Sequence, residues 1–433
     1  MMGDMRMVSA GQVPAEATRP SAIRWWVFAF IFVLTTINMA DRTSISVGMP
    51  TIAKEFALSP AMQGLILSTF FWSYALLQVP GGWIIDRAGP SRVITCAALV
   101  WGAFQTLTMA ATGGVTLLLV RLGLGAAEAP MFPAGSKMVA LWMARHERAR
   151  GAVIQDSGGA FGAAIGGVTI AWLIYVLDSW RLAFGIAGVV TIVLGVIAWR
   201  FLRDDPADHP SVNAAELTHI RAVPTEAGTV PARPRQFSWL RVAPIMVGRF
   251  GWAMVNFGLL TWGPSYLAQA RGLDLRKMGL ALFVIFFAGF LGDLTSGFLA
   301  DALLRYRLRQ SAVLKTMLTL SGLTLFAAFL VLPSIPNVVI AVGVLTVAEF
   351  MLTWGGLYWT FPALVVPTNQ AGMVAGLLNF AGSTGGIVVP LVAGFVLQVT
   401  GSYDGVLYFF AGCAVVFILG TVAVPFGPLR NER

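Results

Sequence analysis

Runs of about twenty apolar residues, the length an α-helix needs to cross the hydrocarbon core of a bilayer, recur through this chain from end to end. Only structures that satisfy their own backbone hydrogen bonds survive in lipid, so each run is expected to be helical. The runs place helices near 25–49, 61–85, 92–112, 115–143, 149–174, 181–202, 241–268, 278–303, 312–333, 337–362, 370–399 and 403–426. Composition points the same way: of 433 residues 57% are hydrophobic and 11% charged, where a soluble domain carries about 25% charged residues. The expected class is an all-α polytopic membrane protein with twelve transmembrane helices.

Twelve spans put both termini on one side. Basic residues crowd the side of the termini: Arg6, Arg19, Arg24, Arg87, Arg92, Arg145, Arg148, Arg150, the Arg-rich 200–241 and 305–315 segments, Arg430 and Arg433. The other side holds Lys54, Arg181, Arg271, Arg276 and Lys277. By the positive-inside rule the termini are cytoplasmic. The net charge of +9 is then an orientation signal, and no nucleic-acid partner is expected. The first apolar run is too long for a signal-peptide core and lacks a small-x-small cleavage site, so it reads as a retained span. Cys96 and Cys413 fall in different spans and read as two ordinary buried thiols.

Segment 203–240 is polar and Pro-rich and divides the spans six and six, as a flexible linker between two bundles would. The expected organisation is a cytoplasmic tail over 1–24, a six-helix bundle over 25–202, the cytoplasmic linker 203–240, a second bundle over 241–426 and a cytoplasmic tail over 427–433. The halves echo one another. Gly82-x-x-x-Asp86-Arg87-x-Gly89 closes the second span and Gly297-x-x-x-Asp301 the eighth. DSGGAFG at 156–162 matches NFAGSTGG at 379–386, and SWRLAF at 179–184 matches SYDGVL at 402–407. Duplicated bundles with a site at their interface are the architecture of many secondary transporters.

Charges inside the spans mark the candidate site. An ionised side chain at mid-membrane costs at least about 2.5–3.5 kcal/mol, so such residues face a protein interior or a wet cavity. Asp41 and Arg42 lie in the first span, Arg121 and Glu128 in the fourth. Arg121, Gly125 and Glu128 share one helix face. Arg121 and Glu128 are separated by about 10 Å along the axis, at about 1.5 Å per residue, so each needs a partner on another helix. The expected arrangement is a cross-helix network in which Arg121 neutralises one or both carboxylates. Moving the arginine away would favour protonation, which makes a proton-coupling switch.

The segment GWIIDRAGPSR, Gly82 to Arg92, resembles the loop signature of the major facilitator superfamily between its second and third helices, and the likeness extends over essentially the whole chain. In that reading Gly82 allows close helix approach, while Asp86 and Arg87 link the two bundles through charge-assisted bonds. DRTSIS in the first span, FFWSYALLQVPGGWIIDRAG in the second and RLGLGAAEAPMFPAG in the fourth further resemble the anion:cation symporter family. That family includes bacterial sugar-acid permeases, such as those for galactonate and glucarate, and the sialin and vesicular glutamate carriers. The resemblance implies that Asp41 and Glu128 are protonation sites, that Arg42 and Arg121 serve the substrate carboxylate and the charge network, and that Tyr74 and Asn379 line the cavity. Arginine offers a planar fork to a carboxylate, and Tyr and Asn offer donors to its oxygens. Gln78, one turn beyond Tyr74, reads as helix-packing glue or as cavity lining.

One departure concerns the fifth span. Some sugar-acid members carry Gln after the Ser-Gly where this chain has Gly159, and Gly158, Gly159, Gly162 and Gly166 read as close-packing glycines. Arg249 and Glu349 could line the cavity or pair with each other, and Arg249 could take a second carboxylate of a diacid or snorkel to the cytoplasmic end. Asp156 and Asp293 are further intramembrane acids with no role implied.

The function expected is proton-coupled symport of a small organic anion, a sugar acid, into a bacterium across its inner membrane, by a monomer with no cofactor beyond the coupling protons. A carrier of an aromatic, dicarboxylic or other less hydroxylated acid is the alternative. No GxxxxGK[ST], HExxH or GxSxG motif and no metal-ligand cluster supports a pump or an intramembrane enzyme. A receptor would not need a protonatable pair in mid-membrane. His146, His209 and His219 are expected in loops.

Overall fold

A computed structural model describes residues 19–144, 147–221, 238–306, 308–366 and 368–425. The expected terminal tails up to residue 18 and beyond 425, the linker stretch 222–237, and Arg145 and His146 lie outside the described residues. The described chain is helical throughout. The N-terminal bundle comprises α1 (Ile23–Glu55), α2 (Pro60–Ala88), α3 (Pro90–Leu107), α4 (Gly114–Glu128), α5 (Met131–Trp142), α6 (Arg148–Leu177) and α7 (Trp180–Phe201). After α8 (Ala214–Arg221), the second bundle comprises α9 (Trp239–Ser265), α10 (Leu275–Arg305), α11 (Gln310–Val331), α12 (Val338–Leu352), α13 (Phe361–Val365), α14 (Thr368–Thr400) and α15 (Tyr403–Val422).

Eleven segments among the described residues are long and apolar enough to cross a membrane. The twelfth expected span, α2, has the length, at 29 residues, and lacks the hydropathy. Gln63, Ser68, Thr69, Ser73, Tyr74 and Gln78 dilute it, because this helix lines the seam between bundles. Outer faces are apolar: Leu76, Phe298 and Val339 are more than 70% exposed, as lipid contact requires.

Helix starts follow local chemistry. Ser59 accepts from the Met62 N–H with Pro60 in the first turn, and Ser179 and Ser402 cap α7 and α15 alike. Two expected spans are broken. The fourth divides into α4 and α5 at Pro130, which has no N–H to give. The tenth passes from α12 into a 3-10 stretch, Thr353–Thr360. There the Trp252 indole N–H donates to the Leu352 carbonyl at 2.6 Å, and Gly355 lies so close to that indole that a Cβ would overlap it.

Small residues set the helix contacts. Gly158, Gly162 and Gly166 of α6 press on Thr35, Thr36 and Ala40 of α1. Gly159 is different: a Cβ there would meet nothing closer than 3.7 Å, so close packing does not explain it. Between bundles, α2 and α14 meet tightly at the end away from the chain termini, where Gly64 faces the Pro390 carbonyl and Gly394 that of Pro60. The Ala61 N–H donates to Gln398 Oε1 at 3.2 Å and Ser68 Oγ to the Ile387 carbonyl at 2.6 Å. Toward the other end, a Cβ at Gly82 of α2 or Gly376 of α14 would meet no atom of the described residues within 4 Å.

Several expectations are corrected here. The linker is not uniformly flexible: Glu216 of α8 is fully buried, accepts the Ile23 and Arg24 backbone N–H groups at 2.9 and 3.1 Å, and pairs with the Arg24 guanidinium at 3.0 Å. His219 accordingly sits on a helix rather than a loop. Cys96 is exposed while Cys413 is buried, and both are free thiols. Gly82 has no close helix neighbour, Asp86 pairs with Lys137 of its own bundle at 2.7 Å, and Arg87 stacks over Trp83 at 3.7 Å. Among the described residues their partners lie within the N-terminal bundle, and none reaches the other one. Gly89 is required locally: its φ is +88° and a side chain would collide with Asp204, whose carboxylate accepts the Ser91 N–H at 2.8 Å. Arg92 is exposed beside it.

Candidate functional site

A cavity of about 530 Å³ lies between the bundles, within the range of small-molecule sites of about 300–1,000 Å³. Of the residues singled out from the sequence, Arg42, Tyr74, Gln78, Arg249, Glu349 and Asn379 line it. Asp41, Arg121 and Glu128 do not; they are buried behind its N-terminal wall. Gly159 also lines it, which accounts for the space at that glycine.

The expected charge network is rewired. Arg42, not Arg121, neutralises a carboxylate: its Nε donates to Glu128 Oε2 at 2.8 Å, with Glu128 fully buried. Arg42 has a donor to spare, since Nη2 has no partner among the described residues. Its guanidinium lies over the Tyr74 ring at 4.4 Å and the Phe70 ring at 5.0 Å, and Arg121 stacks on Phe70 from 4.8 Å. Phe70 thus packs against both cations. Arg121 is near enough to act electrostatically on both carboxylates, while its Nε has no hydrogen-bond partner among the described residues.

Asp41 is held apart from this pair. Trp101 Nε1 on α3 donates to it at 3.0 Å and Thr191 Oγ1 on α7 at 3.2 Å. Those donors, far away in sequence, were not identifiable from it. Asn38 likewise gave no sign of a role beyond its place one turn before Arg42 in an apolar run: it is fully buried, and its side-chain amide bears on the Glu128 carboxylate.

Across the seam, Asn379 Nδ2 donates to Gln78 Oε1 at 2.6 Å, linking α14 to α2 on the cavity wall. Gln78 is therefore both lining and interhelical contact. Arg249 is buried and lies against the rings of Trp252 at 4.0 Å and Trp359 at 5.0 Å. The Arg249–Glu349 pair does not form; Arg249 Nε and Nη1 and Glu349 Oε2 have no partner among the described residues. Asp156 and Asp293, which carried no assignment, also line the cavity.

Residues 31–390 match the Major Facilitator Superfamily. The chain belongs to that superfamily. It is 30% identical, over 92% of its length and 93% of the relative's, to the probable galactarate/D-glucarate transporter GarP of Escherichia coli (strain K12). It is 31% identical to the probable sulfoacetate transporter SauU of Cupriavidus necator, over 88% of this chain and 89% of that one. A solved bacterial homolog of the human lysosomal transporter Spinster, inward-facing and unoccupied, has the same fold, with a TM-score of 0.70 at 19% identity over 93% of this chain and 96% of the other. The resemblance to the superfamily and to its organic-anion carriers holds. The chain is a multi-pass membrane protein and a secondary transporter, with two six-helix bundles around a central cavity.

Proposed function

We propose that this transporter carries a small organic anion, of the sugar-acid kind, into a bacterial cell across the inner membrane together with protons. The observation that carries this reading is the Arg42–Glu128 ion pair at the wall of the interbundle cavity. A substrate carboxylate reaching Arg42 competes with Glu128 for the guanidinium. A buried carboxylate takes or releases a proton according to whether a cation accompanies it. Glu128 therefore exchanges its proton as the anion arrives and leaves. Asp41, which has hydrogen-bond donors rather than an ion-pair partner among the described residues, is the second proton site. Arg121 supplies positive charge between the two. Tyr74 and Asn379 orient the bound anion from opposite bundles.

The segments 25–202 and 241–426 act as the two moving bodies of a monomer, with 203–240 joining them. With the termini cytoplasmic, the tight α2–α14 contact is periplasmic and the structure is open to the cytoplasm. Gly82, Asp86, Arg87, Gly89 and Arg92 belong to the end that closes in the opposite state, where the open space beside Gly82 is filled. A second reading, a less hydroxylated acid, is favoured by the bare Gly159 and by Trp252, Trp359, Phe71 and Phe286 on the walls.

Uptake by proteoliposomes under an imposed pH gradient, across a panel of sugar acids, dicarboxylates and aromatic acids, tests both readings. Accumulation of one acid class only when the gradient is imposed is expected. Accumulation indifferent to that gradient overturns proton coupling.

A further inference from the structure

We propose that Arg249 anchors a second anionic group on the cargo, so that the transported species is a dianion held at one end by each bundle. The inference rests on the transport reading above and narrows its substrate class.

Arg249 is 8% exposed and lines the cavity. Among the described residues it has no ion pair within 4.0 Å, and its Nε and Nη1 have no hydrogen-bond partner. Buried charges are otherwise paired. Asp156 acts on it electrostatically but forms neither an ion pair nor a hydrogen bond with it, so the position for an anion is not filled by the protein.

The surroundings are built to hold the guanidinium in one plane. Trp252 and Trp359 both lie against it, and Trp252 is itself fixed by its bond to the Leu352 carbonyl beside Gly355. A guanidinium held against aromatic rings keeps its planar fork of donors, which suits planar acceptors such as a carboxylate or sulfonate. Gly382 of α14 lies beside the guanidinium on the same wall: a Cβ there would come to 3.5 Å from Nε. Asn256 and Ser383 add polar groups to the same cavity. Arg42 on α1 offers the other cation from the opposite bundle. A ligand with two anionic ends satisfies both arginines, and its middle faces the aromatic wall.

The test uses the full-length protein in proteoliposomes, with counterflow of matched pairs: glucarate against gluconate and adipate against hexanoate. The wild type is expected to prefer the diacid of at least one pair. Arg249→Gln should raise the KM for that diacid about tenfold, the scale of one charge-assisted contact, and leave the monoacid within about twofold. Arg249→Lys, which keeps charge without the fork, should fall between. If the Arg249→Gln protein does not fold, Trp359→Ala removes one of the two rings against the guanidinium and should weaken the diacid selectively. Equal losses for diacid and monoacid, or a wild-type preference for the monoacids, overturn the second anion site while leaving transport standing. No uptake of any acid overturns the transport reading, and the site with it.

Discussion

Each bundle buries one arginine against aromatic rings on the cavity wall, and the two treat it differently. In the N-terminal bundle Arg42 is stacked on Tyr74 and already bonded to Glu128. In the C-terminal bundle Arg249 lies against two tryptophans and has no ion pair among the described residues. A paired arginine can act as a switch, because a ligand must displace something to reach it. An unpaired one can only act as a receptor for charge. Under the proposed function the difference gives Arg42 coupling as well as anion binding and leaves Arg249 recognition alone, in opposite halves of a duplicated fold.

The largest effect should come from Arg42→Gln, which strands Glu128 in a fully buried position. Breaking one partner of a buried pair costs about 3–5 kcal/mol. Uptake should fall by more than about a hundredfold with a lowered thermal midpoint; wild-type uptake would break the comparison. Arg249→Met should do the reverse to stability. Removing an unsatisfied buried cation recovers about 1–3 kcal/mol, so the midpoint should rise by a few degrees while diacid uptake drops. A fall in the midpoint comparable to that of Arg42→Gln would show that Arg249 is structurally paired.

The glycines of α6 sharpen the contrast on a smaller scale. Gly162→Ala drives a methyl into the α1 backbone at Thr36 and should destabilise by about 1–3 kcal/mol. Gly159→Ser has room and should fold normally, shifting preference toward hydroxylated acids in competition uptake.

The smallest effect concerns α8. Burial opposes the charged form of Glu216, yet hydrogen bonds from Ser21, Ile23 and Arg24 hold its carboxyl below the ordinary value. A depressed folded value means the docking energy is present above the unfolded pKa, about 4.3, and is lost as pH falls through the folded one. Proteolysis near α8 should stay slow at neutral pH and accelerate in acid, and Glu216→Gln should accelerate it at neutral pH without altering which acid is carried.

The spans were readable from hydropathy because lipid imposes one rule on every residue of a crossing helix. Only α2 escaped that measure, since it faces the seam. The breaks at Pro130 and at Thr353–Thr360 were hidden for different reasons: prolines often sit in unbroken membrane helices, and the second break depends on Trp252, which is 100 residues from Leu352. The four charges do come together behind the cavity wall, and Arg42 alone of them lines it. Their pairing could not be deduced, because spacing gives the face of a helix and not its rotation against its neighbours. Arg42 therefore took the place expected of Arg121, and Asp41 turned away to Trp101 and Thr191.

The central claim is that Glu128 exchanges a proton as cargo competes for Arg42. Its most direct test is Glu128→Gln in proteoliposomes, comparing accumulation driven by a pH gradient with counterflow in which labelled and unlabelled cargo exchange. The account expects gradient-driven accumulation to vanish while exchange persists. Accumulation equal to wild type would contradict it.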